Sequence, residues 1–335
     1  MQFKTDVLRS NFPLWLSPME DVTNPPFRRI CKRFGADVLV TEFVPTDAII
    51  RNVKTSLLKF QFSESERPLA IQIYGHLEDA MIEGAKMAAE AKPDFIDINW
   101  GCPVKKIANR GAGSGIFRNI PKMIRITEGI VKAVNLPVTV KTRLGWDENS
   151  KVIVDVAERL QDTGIMGLSI HGRTRCQLYT DEADWTLIGE VKNNPRMHIP
   201  IFGNGDVKTP ERALEVKNKY GVDGILIGRA TIGNPWIFSE IKHFFKTGEH
   251  LLPPSIDERV NVCREHLLAC IEWKGESKAI GEMRKHYSTY FRAIPHFKPL
   301  RIELLQAKEL DHILDLFEKI RMFNSAGADL QSVPM

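Results

Sequence analysis

The sequence lacks the features of membrane-spanning, exported and disulfide-linked proteins. No apolar run reaches the roughly 18 residues that a membrane-spanning helix needs, and the first residues, MQFKTDVLRSNF, lack the apolar core of a signal peptide. The five cysteines are odd in number and form neither a CxxC pair nor a Cys/His cluster with the spacing of metal ligands. We therefore expect a cytoplasmic protein with no metal centre and no disulfide framework.

The chain also lacks a strong net charge. A formal charge of +4 over 335 residues is too weak by itself to indicate a nucleic-acid partner. The length is sufficient for about two domains, or for one large α/β domain with an appendage. Any argument for RNA binding therefore depends on where the basic residues cluster. Nothing in the sequence indicates an obligate protein partner.

Strand-like and helix-like segments alternate from residue 14 to about residue 245. Eight such pairs predict a (β/α)8 barrel, because parallel strands need crossover helices and eight strands can close the sheet. A doubly wound open sheet is the alternative, but no GxGxxG motif follows the first strand. The predicted strands are 14–19, 38–43, 69–75, 95–101, 137–145, 167–173, 199–206 and 224–230, and the helices predicted between them include 77–91, 119–135, 150–164 and 209–221.

The pattern changes after the two prolines of LLPPSIDERV, at 251–260. Beyond this point the apolar spacing is helical and no strand-like segment occurs. We predict a barrel domain over 1–248, a helical domain over 252–325, and a tail at 326–335 that we expect to be mobile.

Polar side chains follow nearly every predicted strand. The C-terminal ends of barrel strands and the loops after them build the active site, so these residues are expected to share one rim. The glycine-bearing turns GNGD (203–206) and IGRA (227–230) end the last two strands, where barrel enzymes often hold a phosphate on backbone N–H groups. Simple tight turns are the alternative explanation. The strand-end residues are Pro18, Met19, Glu42, Gln72, Asn99, Cys102, Lys141, Arg143, His171, Arg173, Asn204, Asp206, Gly228 and Arg229.

Three of these residues suggest chemistry without deciding it. Lys141 can form a Schiff base or supply a cation beside an electron-accepting ring. Gln72 can donate to and accept from a planar heterocycle. Cys102 can act as a general acid while protonated, as a nucleophile once ionised, or as a buried structural thiol.

Basic residues cluster in three segments that border the predicted rim. The segment 102–118 contains four cations and no acid, 171–179 adds Arg173 and Arg175, and 281–301 interleaves basic residues with aromatic ones. Cations suit a phosphate backbone and aromatic rings can stack on bases, although a solvated helix face would also explain the last segment. The three segments together favour an RNA partner.

The motifs resemble those of the tRNA-dihydrouridine synthases, in the same order over about residues 14 to 300. The lysine pair in VKK and the run NPWIF are most similar to the bacterial B-type branch. The matching motifs are SPMEDVTNPPFRRIC, QIYG, DINWGCP, PVTVKTRLGW, HGRTR, GNGD and IGRA, followed by RKH in the helical region.

This resemblance implies an enzyme that uses FMN and NADPH to reduce the C5–C6 double bond of a uridine in the D-loop of tRNA. Cys102 would protonate C5 while hydride reaches C6. By the same resemblance, the residues expected around the flavin are Pro18, Met19, Glu20, Gln72, Lys141 and His171. Those expected at its phosphate are Asn204, Gly205, Asp206, Gly228 and Arg229. Those expected at the uridine, its neighbours and the tRNA body are Asn99, Arg143, Arg173, Arg175, Arg284 and Lys285.

Two positions depart from the family pattern. Glu20 stands where the first motif usually has a small residue, so a flavin contact there would have to come from its backbone. Gly115 ends AGSG where the branch usually has AGSA, a change that we expect to be harmless.

Three rival functions remain open from the residues. A free-pyrimidine oxidoreductase of the dihydroorotate dehydrogenase type would share the flavin barrel, but would not need a basic and aromatic segment at 281–301. A lyase using Lys141 as a Schiff base would bind no flavin. A non-catalytic RNA-binding barrel would have no need of Cys102 and Lys141.

Overall fold

The computed structural model of the chain describes residues 6–295 and 297–329. Eight parallel strands close into a barrel, because the second strand pairs with both the first and the fourth, and the last pairs with the first. The predicted (β/α)8 barrel is confirmed. A short strand, β3, which the sequence analysis missed, pairs with β4. The strands are β1 Leu14–Leu16, β2 Val38–Val40, β3 Val44–Pro45, β4 Leu69–Tyr74, β5 Phe95–Asn99, β6 Val138–Arg143, β7 Gly167–His171, β8 Ile201–Asn204 and β9 Gly224–Ile227.

The helices that connect the strands begin and end close to the predicted positions. The helix predicted over 209–221 spans Pro210–Tyr220, begins with the Thr209 side chain accepting from Arg212 N–H, and ends at Gly221 in the left-handed conformation. The helices are α1 Pro25–Arg33, α2 Thr46–Ile50, α3 Lys54–Leu57, α4 Glu78–Glu90, α5 Lys105–Ala108, α6 Ile120–Ala133, α7 Ile153–Asp162, α8 Thr186–Asn193, α9 Pro210–Tyr220, α10 Ile237–Thr247, α11 Ile256–Lys274, α12 Glu276–Tyr290, α13 Lys298–Gln306 and α14 Leu310–Asp329.

The inside of the barrel changes from apolar to polar along the strands. Near their N-terminal ends the inward side chains form an apolar cluster in which the rings of Trp15 and Phe202 lie 4.8 Å apart. Side chains alternate along a strand, so the inward residue two positions after Ala70 is Gln72, and the one after Phe95 is Asp97. A plug of apolar side chains therefore closes the bottom and supports a polar layer above it.

The last four helices pack around an apolar core of their own and against helix α1. The ring of Phe27 on α1 lies 5.2 Å from His266 and 5.0 Å from His286, and Asn24 donates to the Cys270 sulfur. Helix α14 continues to Asp329, past the predicted boundary at 325, and the end of the predicted tail, 330–335, lies outside the described residues. No helix in the described ranges is long and apolar enough to cross a membrane.

A buried ion pair joins helix α1 to the loop before β4. Arg28 and Glu66 are each about 1% exposed, and Arg28 Nε donates to the Glu66 carboxylate at 2.7 Å. The same guanidinium donates to the carbonyls of Thr23 and Gln61. Arg28 thereby connects the segment after β1 to the segment before β4.

Removing the buried carboxylate should destabilise the fold. Glu66→Ala leaves the Arg28 charge buried without its partner, so we expect the free energy of unfolding to fall by about 3–5 kcal/mol. Glu64→Ala is the matched control, because Glu64 pairs with Arg67 at 2.7 Å but its side chain is 83% exposed. This substitution should lower the free energy of unfolding by less than about 1 kcal/mol. Urea denaturation measures both changes, and equal losses would show that burial of the pair does not matter.

Candidate active site

A cavity of about 390 Å³ opens at the C-terminal ends of the barrel strands. Most residues predicted for the site line it, and Lys208 and Tyr179, which the sequence analysis did not assign to the site, line it too. Five of the residues that the resemblance implied lie elsewhere: Gln72 below the cavity, Arg173 behind its wall, Arg175 in a neighbouring groove, and Arg284 and Lys285 on helix α12. Glu42, which was expected on the rim as a strand-end residue, is buried outside the lining and accepts from the Asp21 N–H. The predicted residues that line it are Pro18, Met19, Glu20, Asn99, Cys102, Lys141, Arg143, His171, Asn204, Gly205, Asp206, Gly228 and Arg229.

A chain of hydrogen bonds leads from the buried Asp97 to the backbone of Cys102. The Asp97 carboxylate accepts from Gln72 Nε2 at 2.6 Å and from the Thr139 hydroxyl at 2.6 Å. Gln72 Oε1 accepts from Asn99 Nδ2 at 2.9 Å. Asn99 Oδ1 then accepts from the N–H groups of Gly101 and Cys102, at 2.9 and 2.8 Å. Each amide is thus held in one orientation, and Asn99 fixes the start of the loop that carries the thiol.

Cys102 is held from its other side by the loop 112–115. Its carbonyl accepts from both the N–H and the hydroxyl of Ser114, at 3.1 and 2.8 Å. A Cβ at Gly113 would lie 2.8 Å from that carbonyl oxygen, so only glycine permits this approach. Cys102 as a whole residue is 7% exposed. Burial raises the pKa of Cys102 above its ordinary value, although the Val104 N–H and Arg143 act in the opposite direction. The thiol is therefore protonated near neutral pH, as a general acid requires.

Lys141 and His171 lie at neighbouring strand ends with altered proton affinities. Burial, together with the charge of Arg143, lowers the pKa of Lys141 to about 8, and its Nζ donates to Asn204 Oδ1 at 3.0 Å. Burial and the charge of Arg143 also lower the pKa of His171 well below its ordinary value. His171 is therefore neutral. Its Nε2 lies 3.3 Å from Arg173 Nη1, and since a guanidinium only donates, the ring proton resides on Nδ1.

Two buried arginines hold the loop after β7. Arg143 Nη1 donates to the carbonyls of Thr174 and Leu178, at 2.8 and 2.9 Å, and its Nε to the Gly101 carbonyl. Arg173 donates to the Thr180 and Asp181 carbonyls and to the Asp206 carboxylate. These bonds fix the loop at the edge of the cavity, and they occupy much of the donor capacity of both side chains.

The turns after β8 and β9 present backbone N–H groups suited to an anion. Gly205 and Asp206 have φ values of 128° and 52°. Across the described part of the chain, no protein acceptor pairs with the N–H groups of Gly205, Asp206, Gly228 or Arg229. A Cβ at Gly228 would meet no atom closer than 3.6 Å, so this turn is open. Such amides, with Lys141 nearby, form a suitable cradle for a phosphate.

Two arginines balance the negative charge of the Asp206 carboxylate beside this cradle. It accepts from the Ala183 N–H at 2.9 Å and pairs with Arg173 and Arg229. Burial acts to raise the pKa of Asp206, but the hydrogen bond from the Ala183 N–H and the interaction with Arg173 outweigh burial and lower the pKa. The side chain therefore positions its loop, and an anion here would meet backbone N–H groups.

Comparison with known proteins identifies the family. The family model described as "Dihydrouridine synthase (Dus)" matches residues 15–326. The chain belongs to the dihydrouridine synthase family. A "tRNA-dihydrouridine synthase B" of Pseudomonas putida is 42% identical over 294 residues, which cover 88% of this chain and 86% of the relative. A "Probable tRNA-dihydrouridine synthase" of Rickettsia conorii is 39% identical over 85% of this chain and 86% of the relative. The predicted resemblance is confirmed, and the protein is an oxidoreductase with the flavin dependence of its family.

Two solved structures share the barrel fold at low sequence identity. Histamine dehydrogenase from Rhizobium sp. 4-9 matches with a TM-score of 0.54 and 13% identity, over 79% of this chain and 51% of that one. A 2-naphthoyl-CoA reductase matches with a TM-score of 0.55 and 12% identity, over 71% of this chain and 52% of that one. At these identities the likeness concerns the fold alone.

Both departures from the family motifs have local explanations. The Glu20 carboxylate pairs with Lys59 Nζ at 2.5 Å, beside the carboxylates of Asp21 and Glu42. Lys59 thus offsets the negative charge of Glu20, which the small residue usual in the family does not carry. At Gly115, an added Cβ would lie 2.1 Å from the Ala108 carbonyl oxygen. The glycine is accommodated here, and an alanine would require the segment around Ala108 to shift.

Sequence reasoning did not assign Asp97, Ser114 or Tyr179 to the site. Asp97 could have been found, because a carboxylate within the apolar run FIDIN must be buried, and a buried carboxylate needs partners. Ser114 and Tyr179 lie on loops whose approach to the cavity depends on tertiary packing, and no local pattern indicates it.

The raised pKa of Cys102 predicts slow alkylation at neutral pH. In a Cys176→Ser variant, which removes the one exposed cysteine of the described residues, iodoacetamide should modify Cys102 slowly at pH 7. The rate should continue to rise above about pH 8.5, the pKa of an unperturbed thiol, because only the thiolate reacts. Peptide mass spectrometry across pH 6–10 measures this rate. A plateau at or below pH 8.5 would show that the thiolate is stabilised instead.

The Asp97 chain predicts that two substitutions at one position behave differently. Asp97→Ala leaves the donors of Gln72 and Thr139 without an acceptor and frees Asn99. We expect Cys102 alkylation to accelerate by roughly 5- to 150-fold, corresponding to the 1–3 kcal/mol cost of an unsatisfied buried group. In Asp97→Asn the rate of Cys102 alkylation should stay close to that of the parent, because the new amide oxygen can accept from Gln72 while its NH2 group donates to the Thr139 hydroxyl. Equal rates in the parent and the alanine variant would mean that the chain does not hold the thiol.

Proposed function

We propose that the protein reduces the C5–C6 double bond of a D-loop uridine in tRNA to 5,6-dihydrouridine, with FMN as its flavin, NADPH as reductant and Cys102 as proton donor. Reduction of uridine in tRNA follows from family membership. The observation that carries the finer proposal is that Cys102, nearly buried and with a pKa that burial raises, lies on the wall of a cavity that also contains an anion cradle.

The residues present fit FMN. The free N–H groups of Gly205, Asp206, Gly228 and Arg229 suit a terminal phosphate, and an extended dinucleotide is not needed to fill a cavity of about 390 Å³. When bound, the reduced cofactor supplies a hydride to C6 of the uracil. Pro18, Met19 and the Glu20 backbone would line the flavin at the end of β1, and Lys141 and His171 would contact it from β6 and β7.

The protein's own contribution to the reaction is a proton delivered at a fixed place. Burial keeps Cys102 protonated, and the bonds from Asn99 and Ser114 hold its backbone from both sides. The thiol would give its proton to C5 of the uracil. Asn99 and Arg143, which also line the cavity, would contact the base. Gln72 lies beneath the lining with both ends of its amide engaged, so orienting Asn99 is the role that its contacts favour.

The basic segments would hold the RNA around this cavity. Lys105 and Lys106 begin helix α5 at the mouth, and Arg175 lies near it. On helix α12, Lys285 Nζ donates to the Asp21 carbonyl at 2.7 Å, so this helix lies beside the segment that follows β1. We propose that the domain 252–325, including Arg284 and Lys285, binds the tRNA body while the barrel domain 1–248 performs the reaction. The protein would work in the cytoplasm, where its substrate occurs.

An anaerobic absorption experiment tests the proposal. The purified protein should carry flavin bands that bleach with NADPH and return on addition of tRNA lacking dihydrouridine. Orotate and fumarate are the controls, because recovery of the bands with either would favour the free-pyrimidine oxidoreductase. Extraction of the chromophore and mass spectrometry should identify FMN. A colourless protein that cannot be reconstituted with FMN would contradict the proposal.

A further inference from the structure

A second groove adjoins the cavity and shares part of its lining. It encloses about 510 Å³, and Pro103, Val104 and Tyr179 line both spaces. Its walls expose large apolar side chains: Val104 is 49% exposed, Leu178 44% and Tyr179 53%. Exposed apolar side chains that cluster beside a candidate active site indicate a binding surface more than scattered surface residues do.

The apolar wall of this groove is held in place. Arg143 donates to the Leu178 carbonyl at 2.9 Å, and Arg173 donates to the Thr180 carbonyl at 2.9 Å, so buried guanidinium groups fix the backbone on both sides of Tyr179. The guanidinium carbons of Arg143 and Arg229 lie 5.5 and 5.0 Å from the centre of the Tyr179 ring. The ring is thus presented at the mouth of the cavity by a supported loop.

Two cations without a protein counter-ion complete the groove. Lys105 and Arg175 line it, and neither forms an ion pair within the described ranges. Arg175 lies over the Trp146 ring at 4.6 Å, and its Nε is buried without a hydrogen-bond partner. No acidic side chain lines the groove among the residues that the structure describes. An apolar wall beside two unpaired cations matches a molecule with one flat apolar part and one anionic part.

We propose that this groove binds the nucleotide next to the target uridine in the same RNA strand. Its base would pack on Leu178 and Tyr179, and its phosphate would contact Lys105 and Arg175. The target base must leave its stack to enter the cavity, which deprives the adjacent base of a stacking partner that the Tyr179 ring can replace. This inference rests on the proposed function, since it names a further contact of the same substrate.

Substitution of Tyr179 tests the proposal, with Tyr179→Phe as the control that keeps the ring. Tyr179→Ala should weaken tRNA binding by about 5- to 150-fold, as expected for loss of one base–aromatic stack, whereas Tyr179→Phe should bind as the parent does. Bleaching of the flavin by NADPH is followed in both variants, because Tyr179 also lines the cavity and this readout separates an effect on the cofactor from an effect on RNA binding. Retained flavin and an unchanged circular dichroism spectrum would establish that the variants are folded.

An RNA substrate altered beside the target uridine identifies the occupant. After the modified uridine is mapped, removing the base on its 5′ or its 3′ side should weaken binding to the parent protein on one side only. The same removal should have no further effect on Tyr179→Ala, because the two changes delete the same contact.

The outcomes separate this inference from the proposed function. Unchanged tRNA affinity in Tyr179→Ala, or additive effects of the protein and RNA changes, would overturn the inference alone. Slower reduction by NADPH with normal tRNA binding would also overturn it, since the groove would then hold a nucleotide of the reductant. Failure of the parent protein to form dihydrouridine would instead contradict the proposed function.

Discussion

The candidate site depends on a carboxylate that the barrel must bury. Asp97 lies on β5 facing inward, where an unpaired charge would cost several kcal/mol, and it is held by Gln72 and Thr139 on the two adjacent strands. Because each amide has one donor end and one acceptor end, the carboxylate fixes Gln72, and Gln72 fixes Asn99. The position of the loop that carries Cys102 therefore depends on Asp97, a buried group deeper in the barrel.

Around the cavity, burial disfavours the charged form of each group: it raises the pKa of the acidic thiol and lowers the pKa of the basic side chains. It keeps the Cys102 thiol protonated, makes His171 neutral and lowers the pKa of Lys141 to about 8. Arg143 and Arg173 carry the permanent positive charge, and their bonds to backbone carbonyls support the loop bearing Tyr179. The arrangement thus combines a protonated thiol, a neutral imidazole and a positive charge in and behind the cavity wall.

The strands and connecting helices could be predicted because their signals are local. β-branched runs, helical spacing and glycine at helix ends are visible within a few residues, and the family motifs place Cys102 and the turns at Gly205 and Gly228. The side chains that differ from expectation are long or amide-bearing. Nothing in the sequence near Arg173 indicates that its guanidinium turns to Thr180, Asp181 and Asp206, and Gln72 looks available for a ligand until Asp97 and Asn99 are placed beside it. Such roles depend on distances across strands, which a single sequence does not specify.

We infer that the buried Cys102 thiol delivers a proton to the substrate. A single-turnover experiment decides whether it does: the parent and Cys102→Ala are each reduced by NADPH without air and then mixed with tRNA. We expect equal rates of bleaching by NADPH and a reoxidation by tRNA that is slower in the variant by about 10²- to 10⁴-fold, the range for loss of a general acid. Reoxidation within a few-fold of the parent rate would contradict the inference and would make the thiol a structural group.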